Sequence, residues 1–164
     1  MDYSLKLSVL VASIVLTGLS SGLCFTWSNA VTPGIGELNN FGYLSAFQQM
    51  NRSILNPAFM IVFFSPILLD LVAVYLYKGS STQLLWSLIL ASSCYFFGVV
   101  MVTIFGNVPL NELLDKTDLS LTDNEGLQEL RNQFEAKWNR LHLIRTISSF
   151  ISFLLILLAL LIKK

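Results

Sequence analysis

The hydrophobic positions divide the chain into four long apolar runs separated by polar segments. The runs cover about residues 5–27, 56–77, 84–105 and 143–162. A transmembrane helix needs about 20 mainly apolar residues, and each run meets that requirement. The pattern therefore predicts an all-α protein, a membrane-spanning four-helix bundle that forms a single integral membrane domain over residues 1–164.

The first run resembles a signal peptide, but its apolar region is long for one and Asp2 weakens the positive start. We therefore interpret it as a transmembrane helix. Gly18 and Gly22 form a Gly-x-x-x-Gly pair, and small residues at this spacing let two helices approach closely, so we predict a packing face there. The third run has a comparable face of small residues at Ala91, Cys94 and Gly98.

The segment between the first two runs predicts a loop followed by a short helix. Residues 29–40 contain Pro33-Gly34 and Asn39-Asn40, which are turn formers. Tyr43 to Leu55 forms an amphipathic helix that is too short and too polar to span a membrane. Its predicted apolar side comprises Leu44, Phe47, Ile54 and Leu55, and its polar side Ser45, Gln48, Gln49 and Arg52.

The helix boundaries follow from local signals. Asn56 is predicted to cap the second span, with Pro57 in the first turn. Gly106 and Pro109 predict the end of the third helix. Residues 122–125 have the form of a capping box, which predicts the start of another helix at Thr122.

The last helix is predicted to continue from this capping box into the fourth span. Its apolar stripe consists of Leu127, Leu130, Phe134, Trp138 and Leu141. A helix of about 40 residues is about 60 Å long. This is twice the thickness of a bilayer, so the first half must extend beyond the membrane or bend over the bundle.

Composition agrees with a membrane protein. The chain is 54% hydrophobic and only 12% charged, about half the charged fraction of a soluble domain. Its net charge is zero, so no basic surface for nucleic acid is present. One histidine, two cysteines inside apolar runs and scattered carboxylates make a poor ligand set, and we predict no metal and no cofactor.

The distribution of charge favours one orientation. Four spans place both termini and the Lys78 turn on the same side, which is short and carries four lysines and one acidic residue. Basic residues accumulate on the cytoplasmic side of membrane proteins, but the other side carries six of them, so this count alone leaves the orientation open. The short side is the one that is poor in acidic residues. We therefore predict an integral protein of the cytoplasmic (plasma) membrane with both termini in the cytoplasm, surrounded by membrane lipids and able to form a homo-oligomer.

The candidate site residues lie on the opposite side of the membrane. His142 is the only histidine, and it shares one helix face with Trp138 and Arg145 through i, i+4, i+7 spacing. The alternative is that this helix face only anchors the protein at the membrane interface, because Trp and Arg are common at membrane boundaries. The topology brings further polar residues to the same end, namely Asn51, Arg52, Asn56, Asn107, Asn111 and Glu112.

Asp70 is a carboxylate inside the second apolar run. Such residues are costly and by default indicate function, for example transport. A hydrogen bond to a serine, tyrosine or lysine would instead make it structural, and we favour that interpretation.

Three segments together resemble a known family. They are Asn51-Arg-Ser-Ile-Leu-Asn-Pro57, Asn107-Val-Pro-Leu-Asn111 and Trp138-x-x-x-His142-x-x-Arg145-Thr146. They resemble the anthrone-oxygenase-like family of small four-helix membrane proteins, which is largely a domain of unknown function. The resemblance implies oxidation of an anthrone to an anthraquinone by O2, without an evident metal or flavin.

Two hypotheses follow. In the first, a cofactor-independent oxygenase acts on a lipophilic polycyclic phenol or anthrone. His142 is the base, since its ordinary pKa suits proton transfer near neutral pH. Arg145 or Arg52 stabilises the oxyanion. Supporting roles fall to Asn107 and Asn111 at the oxyanion, Trp138 stacking on the rings, and Glu112 orienting His142.

In the second hypothesis the protein is a non-catalytic membrane binding or scaffold protein. The same polar residues then lock the helix ends together, with Arg145 paired to Glu112. Buried polar groups need such partners in any case.

Overall fold

The computed structural model describes residues 3–163, and every regular element among them is a helix. Helix α1 contains Tyr3–Thr26, a π-helical turn at Trp27–Val31 and a last turn at Thr32–Gly36. The other helices are α2 (Asn40–Ile54), α3 (Pro57–Leu76), α4 (Thr82–Asp115) and α5 (Asn124–Ile162).

Four of these helices, α1, α3, α4 and α5, are long and apolar enough to cross a membrane. The predicted all-α fold, with four long apolar helices compatible with a membrane bundle, is therefore confirmed. Within the bundle, α1 packs on α3 and α5, and α4 packs on the same two helices. At the end of the bundle where α1 begins and α5 ends, the core contains Leu10, Leu88 and Ile156, which are fully or almost fully buried.

The amphipathic helix in the first loop and the long last helix are also confirmed. Helix α5 has 39 residues, or about 58 Å. Its first half extends beyond the bundle and is covered by α2 and the end of α4. We call the assembly of α2, the end of α4 and the first half of α5 the cap. Its core consists of Tyr43, Leu44, Phe47, Leu114, Leu119, Leu127, Phe134 and Trp138.

The predicted loop at residues 29–40 is wrong. Helix α1 continues to Gly36, and only residues 37–39 break the chain before α2. The backbone N–H of Thr32 donates to the carbonyl of Trp27, a π-helical spacing. Pro33 then falls in the first turn of the next α-helical segment, where its missing N–H is tolerated.

The predicted end of the third helix at Gly106 and Pro109 is wrong for the same reason. Two π-helical stretches, Phe96–Met101 and Thr103–Asn107, precede Pro109, which again falls in the first turn of an α-helical segment. Helix α4 therefore continues to Asp115. Gly106 serves packing, since a Cβ there would lie 2.9 Å from Cδ1 of Leu141.

The predicted glycine faces are confirmed in part. A Cβ on Gly98 would overlap the side chain of Ser148, and one on Gly18 would lie 3.1 Å from the Phe153 ring, so both glycines permit close contact with α5. Gly22 has no such neighbour within 4 Å, so the second half of the Gly-x-x-x-Gly prediction is wrong.

Three further local predictions need correction. The cap of α5 is Asp123, whose side chain accepts from Gly126 N–H, rather than Thr122. On α2, Gln48 is buried and donates to the carbonyls of Leu114 and Thr117. Leu55, which we placed on the apolar side of this helix, follows its last residue and is 67% exposed. The cap at Asn56 and the position of Pro57 are as predicted.

A cluster on α5 ties the end of α1 to the cap. Arg131 donates to the carbonyls of Gly36 and Leu38 and pairs with Glu135 at 2.6 Å. Its guanidinium lies 4.4 Å from the centre of the Tyr43 ring. Burial, with the nearby Glu135 charge, raises the pKa of Tyr43 above its ordinary value.

Asp70 is buried between α1 and α3, and the hydroxyl of Ser13 donates to it. This is the serine contact that the structural interpretation of Asp70 predicts.

Candidate functional site

A pocket lies where the cap meets the bundle, and all five helices contribute to its walls. Its cavity volume is about 140 Å³, and the pocket is open at its mouth. Six of the nine predicted site residues line this pocket: Asn51, Asn107, Asn111, Trp138, His142 and Arg145.

The other three predicted residues lie elsewhere. Arg52 pairs with Asp115 at 2.7 Å, and Glu112 pairs with Lys116 at 3.3 Å, all on the exposed surface. Asn56 caps α3. The predicted contacts of Glu112 with the histidine and arginine of the pocket are therefore wrong. Because α4 continues past its proline, the helix turns Glu112 outward while the preceding asparagine faces the pocket.

The histidine side chain has a defined tautomer. His142 is 4% exposed, and its Nε2 lies 3.1 Å from the backbone carbonyl of Cys24. A carbonyl only accepts hydrogen bonds, so Nε2 must carry the proton. In the neutral ring the lone pair is then on Nδ1, a buried atom without a partner in the protein. Nδ1 is consequently the atom that is free to accept a proton.

Two residues hold the imidazole ring in place. Trp138 stacks on His142 with ring centres 4.8 Å apart and planes inclined by 13°. The indole N–H of Trp138 donates to Oδ1 of Asn111 at 2.7 Å. Contacts within the protein therefore occupy one ring face and the N–H of Trp138, and the side-chain carbonyl of Asn111. Both residues hold the histidine in place, and both also line the pocket, so their predicted contact with the substrate stays a prediction.

Arg145 is a buried cation without an acidic partner. It is 8% exposed, and it forms no ion pair in the part of the chain that the structure describes. Its guanidinium carbon lies 5.9 Å from the centre of the Phe63 ring, and its Nε has no hydrogen-bond partner. A buried charge is costly unless it is paired. This side chain is therefore suited to receive an anion inside the pocket.

Three more polar atoms in the pocket walls lack partners within the protein. Trp27 Nε1 and Asn51 Nδ2 are donors, and Asn107 Oδ1 is an acceptor. The amide nitrogen of Asn107 donates to the carbonyl of Trp138. Buried polar groups in proteins almost always have partners. This concentration of unpaired groups in one apolar pocket indicates a site for a ligand with oxygen functions.

Sequence reasoning missed the contribution of α1. Trp27 stands 6.2 Å from His142 and 5.7 Å from Trp138, measured between ring centres. In the sequence it marks only the end of an apolar run. Cys24 contributes its backbone carbonyl, which contacts His142, and its thiol, which lies beside the guanidinium of Arg145. The sequence contains no signal for the carbonyl contact.

No group of three or more His, Cys, Asp and Glu side chains suited to a metal ion occurs within the described range 3–163.

Comparison with known proteins assigns the chain to a family. Residues 59–155 match the family model described as anthrone oxygenase, and this segment is more than half of the chain. The chain belongs to the anthrone oxygenase family. The predicted resemblance is thus confirmed, and the family segment includes His142 and Arg145 but neither Trp27 nor Asn51. No curated protein and no solved structure matches the chain.

Proposed function

We propose that this protein is an oxygenase that uses O2 to oxidise an anthrone or a related lipophilic polycyclic phenol, without a cofactor. The observation that carries the proposal is the free Nδ1 of His142 in the same buried pocket as the unpaired cation of Arg145. A base beside an anion-stabilising group is what deprotonation of a carbon acid requires. Membership of the anthrone oxygenase family supports the same reaction.

The reaction begins with proton transfer. Nδ1 of His142 takes a proton from the CH2 carbon that lies between two aromatic rings, and the electron pair moves onto the ring system and its oxygen. Arg145 stabilises the resulting oxyanion. The electron-rich anion then gives one electron to O2, so the carbon is oxidised and O2 is reduced to superoxide.

Recombination of the two radicals forms a carbon–oxygen bond and a peroxide anion, which takes the proton back from the imidazolium of His142. Removal of the second hydrogen from this carbon, as a proton, breaks the O–O bond, and hydroxide leaves with a proton as water. The sum is CH2 plus O2 giving C=O plus H2O. The imidazole returns to its starting state, so no external reductant is needed.

The remaining unpaired groups suit the other oxygen atoms of such a substrate. Trp27 Nε1 and Asn51 Nδ2 are positioned to donate to a carbonyl or a phenol, and Asn107 Oδ1 to accept from a hydroxyl. Aromatic and aliphatic side chains form most of the remaining wall and exclude water from the anion. A drier site strengthens the attraction between Arg145 and the oxyanion.

The test is quinone formation by detergent-purified protein incubated with a simple anthrone, with and without O2. We expect O2-dependent product above the spontaneous rate. His142→Ala should lower that rate about 100- to 10,000-fold, the usual contribution of a general base. Lys137→Ala, an exposed change on the same helix, is the matched control. Unchanged turnover in folded His142→Ala would remove the histidine from the mechanism.

The alternative of a non-catalytic binding or scaffold protein uses the same pocket. Its expected lock between Arg145 and Glu112 is not formed, because Glu112 pairs with Lys116 outside the pocket. Ligand retention without turnover, for every anthrone and phenol offered, would favour this alternative over the oxygenase.

A further inference from the structure

We infer that the pocket opens sideways between α3 and α4, and that its aromatic ligand enters directly from the lipid bilayer. The inference rests on the proposed function for the nature of the ligand, a lipophilic polycyclic phenol or anthrone. The opening itself follows from the packing of the two helices. We call it the lateral portal, bordered by Leu55, Phe59, Val62 and Val108.

The backbones of α3 and α4 diverge toward the cap. Helix α3 packs against the first segment of α4, Thr82–Tyr95, which follows it after a short turn. The later part of α4, Phe96–Asp115, has its backbone on α5 and meets α3 through side chains, as where Val99 and Val100 pack with Phe63. Two neighbouring helices that meet at one end and separate at the other leave a wedge-shaped gap. The pocket lies at the wide end of this gap.

The side chains at the border of the portal are apolar, as expected for an entrance from lipid. Among them, Leu55 is 67% and Val108 38% exposed. The base and the cation lie deeper, since His142 and Arg145 are buried. An entrance from water would place polar side chains at the rim. Here a ligand first meets apolar side chains and reaches the base and the cation only after leaving the bilayer.

The depth of the portal suits the proposed ligand. Phe59 and Val62 are near the start of α3, roughly 3–8 Å along its axis from Pro57. Because α3 is just long enough to span a bilayer, this position is in the outer part of the hydrocarbon layer. Amphipathic aromatic groups concentrate near this boundary, where the ring is in lipid and the hydroxyl near water.

The cap closes the pocket on the side away from the bundle. Phe47 contacts Trp138 with ring centres 4.7 Å apart and Trp27 at 5.7 Å. These three rings cover the pocket beneath the cap core. A path from water would have to pass through this aromatic layer, whereas the lateral portal needs no movement of the cap.

Tryptophan fluorescence tests the portal without requiring turnover. The chain has three tryptophans, at positions 27, 86 and 138, and only Trp86 lies outside the pocket. Trp86→Phe therefore leaves two emitters that both line the pocket. This protein is placed in phosphatidylcholine vesicles with brominated acyl chains, which quench tryptophan on contact, and in unbrominated vesicles with aqueous acrylamide.

We expect stronger quenching by brominated lipid than by acrylamide. Adding Val62→Phe and Val108→Phe, which narrow the portal, should reduce the lipid quenching at least twofold. Ile104→Phe, on the lipid-exposed surface of α4 outside the pocket, is the matched control and should leave quenching unchanged. Leu55→Phe is a second narrowing variant, at a position that is 67% exposed.

Lipid quenching that is insensitive to all narrowing variants, or acrylamide quenching that exceeds it, would overturn the portal. The outcome is separable from that of the proposed function. If quenching responds to the portal variants but no quinone forms, the portal stands and the oxygenase proposal fails. If quinone forms at rates insensitive to the same variants and quenching is equally insensitive, the oxygenase stands and the portal fails.

Discussion

Replacing Arg145 with methionine should make the protein less active and more stable. Methionine has a similar length and keeps the packing, but it removes a buried charge that has no acidic partner in the described chain. In a catalytic site the charge stabilises the transition state at a cost to the stability of the fold. In a structural lock between helix ends the charge stabilises the fold itself. The two functions therefore predict opposite changes in stability.

The magnitudes follow from the burial of this side chain. A hydrogen bond to a charged group contributes about 1.5–3 kcal/mol, and 1.36 kcal/mol is a factor of ten in rate. Loss of the guanidinium should thus lower kcat/KM about 10- to 150-fold. Replacing buried charged groups by apolar ones of similar volume stabilises proteins by up to about 4 kcal/mol, and each kcal/mol raises Tm by about 2–4 °C at this chain length.

The assay combines quinone absorbance with thermal unfolding in the same detergent, without ligand. Lys137→Met, an exposed change on the same helix, is the control and should alter neither quantity. A fall of several degrees in Tm for Arg145→Met would refute the reasoning, because it would show that the guanidinium is paired and structural. Unchanged kcat/KM together with a raised Tm would instead exclude Arg145 from oxyanion stabilisation.

Other predictions concern the neighbours of this side chain and the helix packing. The rate should rise with pH, because only neutral His142 has a lone pair on Nδ1; a pH–rate profile that is flat in the acid range would contradict this. Asn111→Leu leaves the Trp138 N–H unpaired and should cost about 1–3 kcal/mol, lowering kcat more than KM in steady-state assays. Equal effects on both would argue against a positioning role. Gly98→Ala should destabilise by about 1–3 kcal/mol through overpacking, and Ser148→Gly should restore the Tm in the double variant.

The sequence by itself determined the number of spans, the amphipathic α2 and the length of α5. It also determined that Trp138, His142 and Arg145 share one face. These properties are local: hydrophobic length decides whether a helix crosses a membrane, and helical periodicity decides which side chains lie together.

The tertiary structure alone decided how far α1 and α4 extend and what the shared face contacts. A proline usually ends a helix, and the sequence has one at position 33 and one at position 109. Here a π-helical turn precedes each proline, which therefore falls in the first turn of the next α-helical segment, where no N–H is needed. The partner of His142 is a backbone carbonyl 118 residues away. Long-range packing, which no local pattern encodes, thus set the tautomer of the histidine.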